Sequence, residues 1–223
     1  MKLQINQDVL KIIAVFLMTL DHVSRIIYGM EDSFFILLGR VVYPIFGWLI
    51  ALHLVQKSVY TKYLKRLFFF GMITFCALLP FGVYDTLLWS FMVPIASLWQ
   101  MEKVSKTVKN LIKRACLNFL IFVVGLILSL FLYYSLFGFL YIVTAYYVIK
   151  KRLSILKVFM VISGALLNPT VPLFAFVSGV MTAGLMSMNF TSKARVIQYK
   201  YLLYIYYPVH LFVLHCLKTL HVF

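Results

Sequence analysis

Long runs of apolar residues, separated by short polar connections, fill almost the whole chain. A helix needs ~20 mostly apolar residues to cross the hydrocarbon core of a bilayer. Lipid offers no hydrogen bonds to the backbone, so such runs predict helices. The pattern predicts nine spans: Val9–Ile27, Phe34–Val55, Leu67–Phe81, Leu87–Trp99, Ala115–Tyr134, Leu136–Ile149, Leu153–Leu167, Val171–Met188 and Tyr201–Leu217. The expected fold class is therefore all-α: residues 1–223 form one polytopic membrane bundle of about nine transmembrane helices.

Basic residues lie mainly in alternate connections between these runs. Most of the 21 Lys and Arg residues fall in four segments: Gln56–Arg66, Glu102–Arg114, Lys150–Arg152 and Asn189–Lys200. Cytoplasmic loops of membrane proteins carry such an excess of positive charge. The alternation therefore predicts that the N-terminus lies inside and the C-terminus outside.

Composition excludes a water-soluble domain. Hydrophobic residues make up 64% of the chain and charged residues 12%, and the mean hydropathy is +0.98. The net charge of +15 sits at the predicted membrane surface, so we expect no nucleic-acid partner. Cys76, Cys116 and Cys216 lie singly in separate apolar runs, which indicates neither a disulfide framework nor a zinc site. The N-terminus runs into the first span without a cleavage motif and predicts an uncleaved first helix.

Ionisable residues fall inside the predicted spans, among them Asp21, His22, Arg40 and His210. An Arg or Asp at the centre of a membrane helix costs about 2.5–3.5 kcal/mol on insertion scales, so its presence there is a functional-site hypothesis by default. The predicted topology places Asp21, His22 and Arg40 in the outer half of the bilayer and His210 near the middle. All four are thus expected in one depth band.

Asp21 and His22 are adjacent and point about 100° apart on a helix, so they do not form a simple base and orienting pair. Asp21 faces Arg25 four residues later, which predicts a local ion pair. His22 is then free to face the bundle, where its imidazole suits proton transfer near neutral pH. The alternative is an interfacial histidine beside a salt bridge.

Arg40 and His210 each lie close to a proline. Pro44 has no N–H, so the carbonyl of Arg40 loses its helical donor. A distorted helix beside a fixed cation indicates a polar cavity, although an ion pair between Arg40 and Asp21 that only joins two helices stays open. His210 follows Pro208, and a packed histidine is the alternative there. The histidine spacing does not match a metal site, so no metal is expected.

Lys62, Lys65 and Arg66 lie at the predicted inner mouth of the third helix, with Lys62 and Arg66 on one helical face. The charge bias of cytoplasmic loops explains them fully. A cluster of cations at this position would also hold phosphates.

Four segments, in order along nearly the whole chain, resemble the TraX family. They read LKIIA…MTLDH at residues 10–22, LGRVVYPIF at 38–46, KYLKRL at 62–67 and LYIYYPVHL at 203–211. TraX proteins are multi-spanning proteins of the bacterial cytoplasmic (inner) membrane that are associated with N-acetylation of conjugative pilin. They are similar to the wider membrane acyltransferases that acetylate sugars.

The resemblance implies that His22 is the catalytic histidine and that Lys62 and Arg66 belong to a basic motif that holds acyl-CoA. Arg40 and His210 fall in the other polar motifs of the family. We therefore expect an acyltransferase in which acetyl-CoA is the donor from the cytoplasm. A pilin or other peptide amine, or a glycan hydroxyl, is the acceptor at the outer side.

In this hypothesis His22 is the general base, with Asp21 beside it in the site. Arg40 and His210 stabilise the oxyanion, and Lys62, Lys65 and Arg66 bind the CoA phosphates. A proton-coupled transporter is the first alternative, because buried Asp, His and Arg also build proton relays. The nine spans do not divide into similar halves, which counts against it. A non-catalytic membrane component of a conjugation or secretion system is the second alternative.

Overall fold

Helices make up nearly all of the secondary structure. The computed structural model describes residues 4–30, 34–83, 87–132, 134–151, 154–167, 172–191 and 201–220. The helices are α1 (Gln7–His22), α2 (Phe34–Gly39), α3 (Val42–Lys57), α4 (Tyr60–Leu78), α5 (Leu87–Thr107), α6 (Leu111–Ser129), α7 (Ser135–Lys151), α8 (Ser154–Ala165), α9 (Pro172–Ser187) and α10 (Leu202–Thr219). A π-helical turn, Val23–Ile27, continues α1, and a 3₁₀ turn, Leu79–Phe81, continues α4.

Two short strands pair at the start of the fold. β1 (Gln4–Asn6) lies parallel to β2 (Asn189–Thr191), so the beginning of the chain is held beside the segment that follows α9. Most of the basic segment Asn189–Lys200 lies outside the described residues, as does Arg152.

Helix ends follow from local sequence. The side chain of Asn6 accepts a hydrogen bond from the backbone N–H of Asp8 and so caps α1. Asn110 caps α6 in the same way, through the N–H of Lys113. Both contacts satisfy donors that a helix start leaves unpaired. Ser58, at φ 47°, ends α3 in a left-handed conformation and turns the chain into α4.

α3 forms the centre of the bundle. Within Phe34–Lys57, which contains α2 and α3, 72% of an 18-residue apolar stretch is buried. The corresponding share for Leu111–Ser129, which is α6, is 6%. α7 packs along α3, where Gly47 leaves room for the ring of Tyr141, and the hydroxyl of Tyr141 donates to the carbonyl of Pro44 at 3.0 Å. α6 is peripheral and exposes large apolar side chains, as a surface in hydrocarbon requires: Leu111, Ile112, Phe119 and Leu120.

The helices occur in the order that the sequence predicts, and the all-helical class is confirmed. Three described segments are long and apolar enough to cross a membrane, namely Phe34–Lys57, Tyr60–Phe81 and Leu111–Ser129. The full set of nine spans and the direction of the termini stay predictions.

Two predicted boundaries differ from the helix ends by about two turns. α4 begins at Tyr60, about two turns before the predicted Leu67, because Lys, Arg and Leu are good helix formers and continue the helix beyond the apolar run. α5 likewise continues past the predicted Trp99 to Thr107. The basic segments Gln56–Arg66 and Glu102–Arg114 are therefore mostly helical, and each contains only a short turn.

Candidate functional site

The two histidines of the site come from opposite ends of the chain. His22 is the last residue of α1, and His210 lies in the middle of α10. Nδ1 of His22 lies 2.8 Å from Nε2 of His210, which is hydrogen-bonding distance. His210 is buried, whereas His22 is only partly buried. Two residues that the sequence places in one depth band are thus in contact in the structure.

The hydrogen bonds fix which nitrogen of each neutral ring carries the proton. Nδ1 of His210 lies 2.8 Å from the backbone carbonyl oxygen of Tyr206. A carbonyl only accepts, so Nδ1 of His210 donates and its Nε2 carries a lone pair. That lone pair accepts from Nδ1–H of His22. The remaining nitrogen of His22, Nε2, therefore carries a lone pair too, and none of the described residues hydrogen-bonds to it.

Tyr206 holds this pair from the side. Its ring stacks on His210 with the centroids 4.8 Å apart and the planes 11° apart. Its hydroxyl lies 2.6 Å from Oγ1 of Thr19, and that hydroxyl of Thr19 donates its single proton to the carbonyl of Val15 at 2.8 Å. Tyr206 must therefore be the donor to Thr19. The role of Tyr206 is a feature that the sequence alone did not reveal.

Asp21 has a different neighbourhood from His22. Its Oδ1 accepts from Nε of Arg25 at 2.7 Å, so the predicted local ion pair is confirmed. The other side of Asp21 faces α2 so closely that a Cβ at Gly39 would overlap the Asp21 side chain. Arg40 follows directly and acts on Asp21 electrostatically. Asp21 therefore joins α1 to α2 and is already paired within its own helix.

Arg40 lies at the break between α2 and α3. Pro44 has no N–H to offer the backbone carbonyl of Arg40. That carbonyl accepts a hydrogen bond from the hydroxyl of Ser178, on α9, at 3.3 Å. The guanidinium of Arg40 lies over the ring of Phe174, 5.1 Å from its centroid. Its Nε is buried and has no hydrogen-bond partner in the described part of the chain. The predicted backbone distortion is thus present, and Ser178 and Phe174 are contacts that the sequence did not predict.

The three basic residues at the start of α4 do not form one open cluster. Lys62 and Lys65 are exposed. Arg66 is half-buried: it lies over the ring of Tyr201, 5.3 Å from the centroid, and interacts electrostatically with Tyr204. Arg66 therefore connects α4 to the first turn of α10.

Two further features bear on the chemistry. The π-helical turn Val23–Ile27 begins directly after His22, and such turns are frequent at functional sites. In the described residues no three His, Cys, Asp or Glu side chains meet as a metal site requires. The expectation of a metal-free site stays a prediction.

Together, a helical bundle with lipid-suited outer faces and a histidine pair between its first and last helices defines a polytopic membrane protein with a polar site inside. The family model described as TraX protein matches residues 6–218, so the chain belongs to the TraX family of conjugation-related membrane proteins. This confirms the resemblance drawn from the four motifs. No curated protein and no solved structure matches the chain.

Proposed function

We propose that the protein is an integral membrane acyltransferase that moves an acetyl group from acetyl-CoA to an amine or hydroxyl acceptor. The observation that supports this most strongly is the 2.8 Å contact between Nδ1 of His22 and Nε2 of His210, which leaves Nε2 of His22 without a hydrogen-bond partner among the described residues. A base within reach of substrate and an orienting partner behind it are the two elements that general-base catalysis needs.

In the proposed reaction, Nε2 of His22 takes the proton from the acceptor as the acceptor nitrogen or oxygen attacks the thioester carbonyl. A carbon–nitrogen or carbon–oxygen bond forms and the carbonyl oxygen becomes an oxyanion. When the oxyanion collapses, the carbon–sulfur bond breaks and the leaving thiolate takes the proton back from His22. The products are acetylated acceptor and CoA thiol, and neutral His22 is restored.

His210 is assigned a different role from the one that the sequence indicated. Both of its ring nitrogens are engaged, one by His22 and the other by the Tyr206 carbonyl, so neither is left for an oxyanion. We assign His210 to orient His22 and to stabilise the imidazolium that forms during the reaction. Oxyanion stabilisation falls to Arg40, whose buried Nε–H has no partner among the described residues.

The donor is proposed to bind from the basic end of α4. Lys62 and Lys65 are exposed there, and Arg66 interacts electrostatically with Tyr204 of α10. His210 lies six residues further along the same helix as Tyr204, about 9 Å at 1.5 Å per residue. The flexible pantetheine arm of CoA is longer than this distance. With its phosphates on the basic residues, the thioester would therefore reach the histidine pair.

Thiol release from acetyl-CoA by purified protein in detergent tests the proposal. Hydroxylamine serves as a small acceptor, so that the natural one need not be known. We expect turnover by the wild type and a loss of about 10²–10⁴-fold in His22→Ala, which is the usual contribution of a general base. His215→Ala is the matched control, because His215 also lies on α10 and acts on His22 only electrostatically, with its ring stacked on Phe81. Equal loss in both variants, or none in His22→Ala, would contradict the assignment.

The phosphate contacts are tested by changing the donor as well as the protein. Lys62→Gln/Lys65→Gln should weaken acetyl-CoA binding by roughly tenfold or more, since hydrogen bonds to charged groups contribute ~1.5–3 kcal/mol each. Acetyl-pantetheine lacks the nucleotide phosphates, and its binding should not change. Lys109→Gln/Lys113→Gln, at the turn between α5 and α6, is the control. A similar effect on both donors would show that the lysines act on folding instead.

The proposed arrangement has the donor inside and the acceptor outside in the bacterial cytoplasmic membrane. Family membership in a conjugation-related group supports a pilin or other peptide amine as acceptor, and a glycan hydroxyl fits the same chemistry. Proton or solute flux through proteoliposomes in the absence of CoA would favour the transporter instead. A folded protein with neither activity would favour a non-catalytic component.

A further inference from the structure

We propose that Thr19 and Tyr206 act as a positioning clamp, meaning the hydrogen-bonded pair Thr19–Tyr206, that sets the geometry of the His22–His210 pair. This inference rests on the proposed function only for its effect on turnover. Its effect on the histidine rings is independent of any reaction.

The clamp and the histidine pair are two contacts between the same helices, α1 and α10. On α1, Thr19 and His22 are three residues apart and share a helical face; on α10, Tyr206 and His210 are four apart and do the same. The hydroxyl of Tyr206 meets Oγ1 of Thr19 at 2.6 Å, and Nδ1 of His22 meets Nε2 of His210 at 2.8 Å. The clamp residue precedes the histidine on both helices, so α1 and α10 are parallel at this point.

Tyr206 acts on His210 through three separate parts of one residue. Its carbonyl accepts the Nδ1 proton, its ring stacks on the imidazole, and its hydroxyl reaches across to α1. The first contact sets the tautomer, the second sets the plane of the ring, and the third sets the distance between the helices. Rotation of the Tyr206 ring would break the second and third together.

Thr19 completes the clamp by being held itself. Its hydroxyl proton is committed to the carbonyl of Val15, so its oxygen presents a lone pair in a fixed direction. A hydrogen bond of 2.6 Å to a fixed acceptor restrains the separation of α1 and α10 one turn away from the histidines. We infer that loss of this bond lets His22 move from His210, so that the proton of His22 is no longer confined to Nδ1.

The first test measures the ring nitrogens by ¹⁵N NMR on protein labelled at histidine, in nanodiscs at a pH where the rings are neutral. Signals are assigned with His22→Gln and His210→Gln. In the wild type we expect both rings to carry the proton on Nδ1. In Tyr206→Phe, which keeps the ring and the carbonyl, His210 should stay in that form whereas His22 becomes a mixture. Thr19→Val should reproduce this result, and Thr19→Ser should restore the wild-type spectrum.

The second test is turnover. Tyr206→Phe and Thr19→Val should each lower kcat about fivefold, the effect of one neutral hydrogen bond, with KM for acetyl-CoA unchanged. Tyr207→Phe is the control, because its hydroxyl accepts from the N–H of Leu87 at the start of α5. Unchanged His22 tautomers in both clamp variants would overturn the inference. If the wild type cleaves no acetyl-CoA, the proposed function fails, while the NMR result still decides whether the clamp exists.

Discussion

Replacement of His210 by leucine removes the acceptor behind His22 and leaves its Nδ1–H unpaired. The magnitude follows from the bond that is lost. In the proposed transition state His22 becomes an imidazolium, and a hydrogen bond to a charged group contributes ~1.5–3 kcal/mol. At 1.36 kcal/mol per factor of ten, His210→Leu should lower kcat by roughly 10- to 150-fold. KM for acetyl-CoA should stay within about twofold, because the proposed donor contacts lie elsewhere.

A double-mutant cycle with His22→Ala makes the prediction sharper. If His210 acts only through His22, then His22→Ala/His210→Leu should be no slower than His22→Ala alone. His210→Gln offers a side-chain oxygen that still accepts from Nδ1 of His22, and it should recover part of the loss. The assay is hydroxylamine-dependent thiol release, with circular dichroism to confirm folding. Multiplicative losses in the double variant would refute the view that His210 is an orienting partner.

Two further predictions concern the parts of the fold around the site. Gly39→Ala should lower the unfolding free energy by about 1–3 kcal/mol, since its Cβ would overlap Asp21, whereas Gly184→Ala, at an open position of α9, should not destabilise; thermal unfolding in detergent measures both. Glu102 lies beyond the predicted span of α5. Burial raises its pKa, but hydrogen bonds from Lys150 and a tyrosine outweigh that effect and leave the pKa below its ordinary value. Its contribution to stability is therefore present at neutral pH and is lost as pH falls through the lowered pKa. Accordingly, Glu102→Gln should reduce the melting temperature at pH 7 and have little effect at the lowest pH at which the protein stays folded.

Several local features could be read from the sequence because their causes are local. The ion pair of Asp21 with Arg25 follows from a spacing of four residues on a helix. The free carbonyl of Arg40 follows from the missing N–H of Pro44, and the structure shows Ser178 as its new donor. The order of the helices could also be predicted from the sequence, since apolar runs of sufficient length form helices in lipid.

Contacts between distant helices could not be read in the same way. Periodicity shows which face of a helix is polar and not which helix lies opposite. His22 and His210 are 188 residues apart, and the sequence indicated only a shared depth for them. Thr19 and Tyr206 did carry a signal, because each shares a face with one of the histidines. An ordinary preference of tyrosine for membrane interfaces concealed it.

The most direct test of the account is chemical rescue of His22→Ala by free imidazole. Truncation of His22 opens a space of imidazole size beside His210, so added imidazole can take the place of the missing ring. We expect His22→Ala to bind acetyl-CoA with wild-type affinity, to release almost no thiol, and to regain saturable activity as imidazole is added. His215→Ala should not respond to imidazole. Wild-type activity in His22→Ala, or a folded wild type that never cleaves acetyl-CoA, would contradict it.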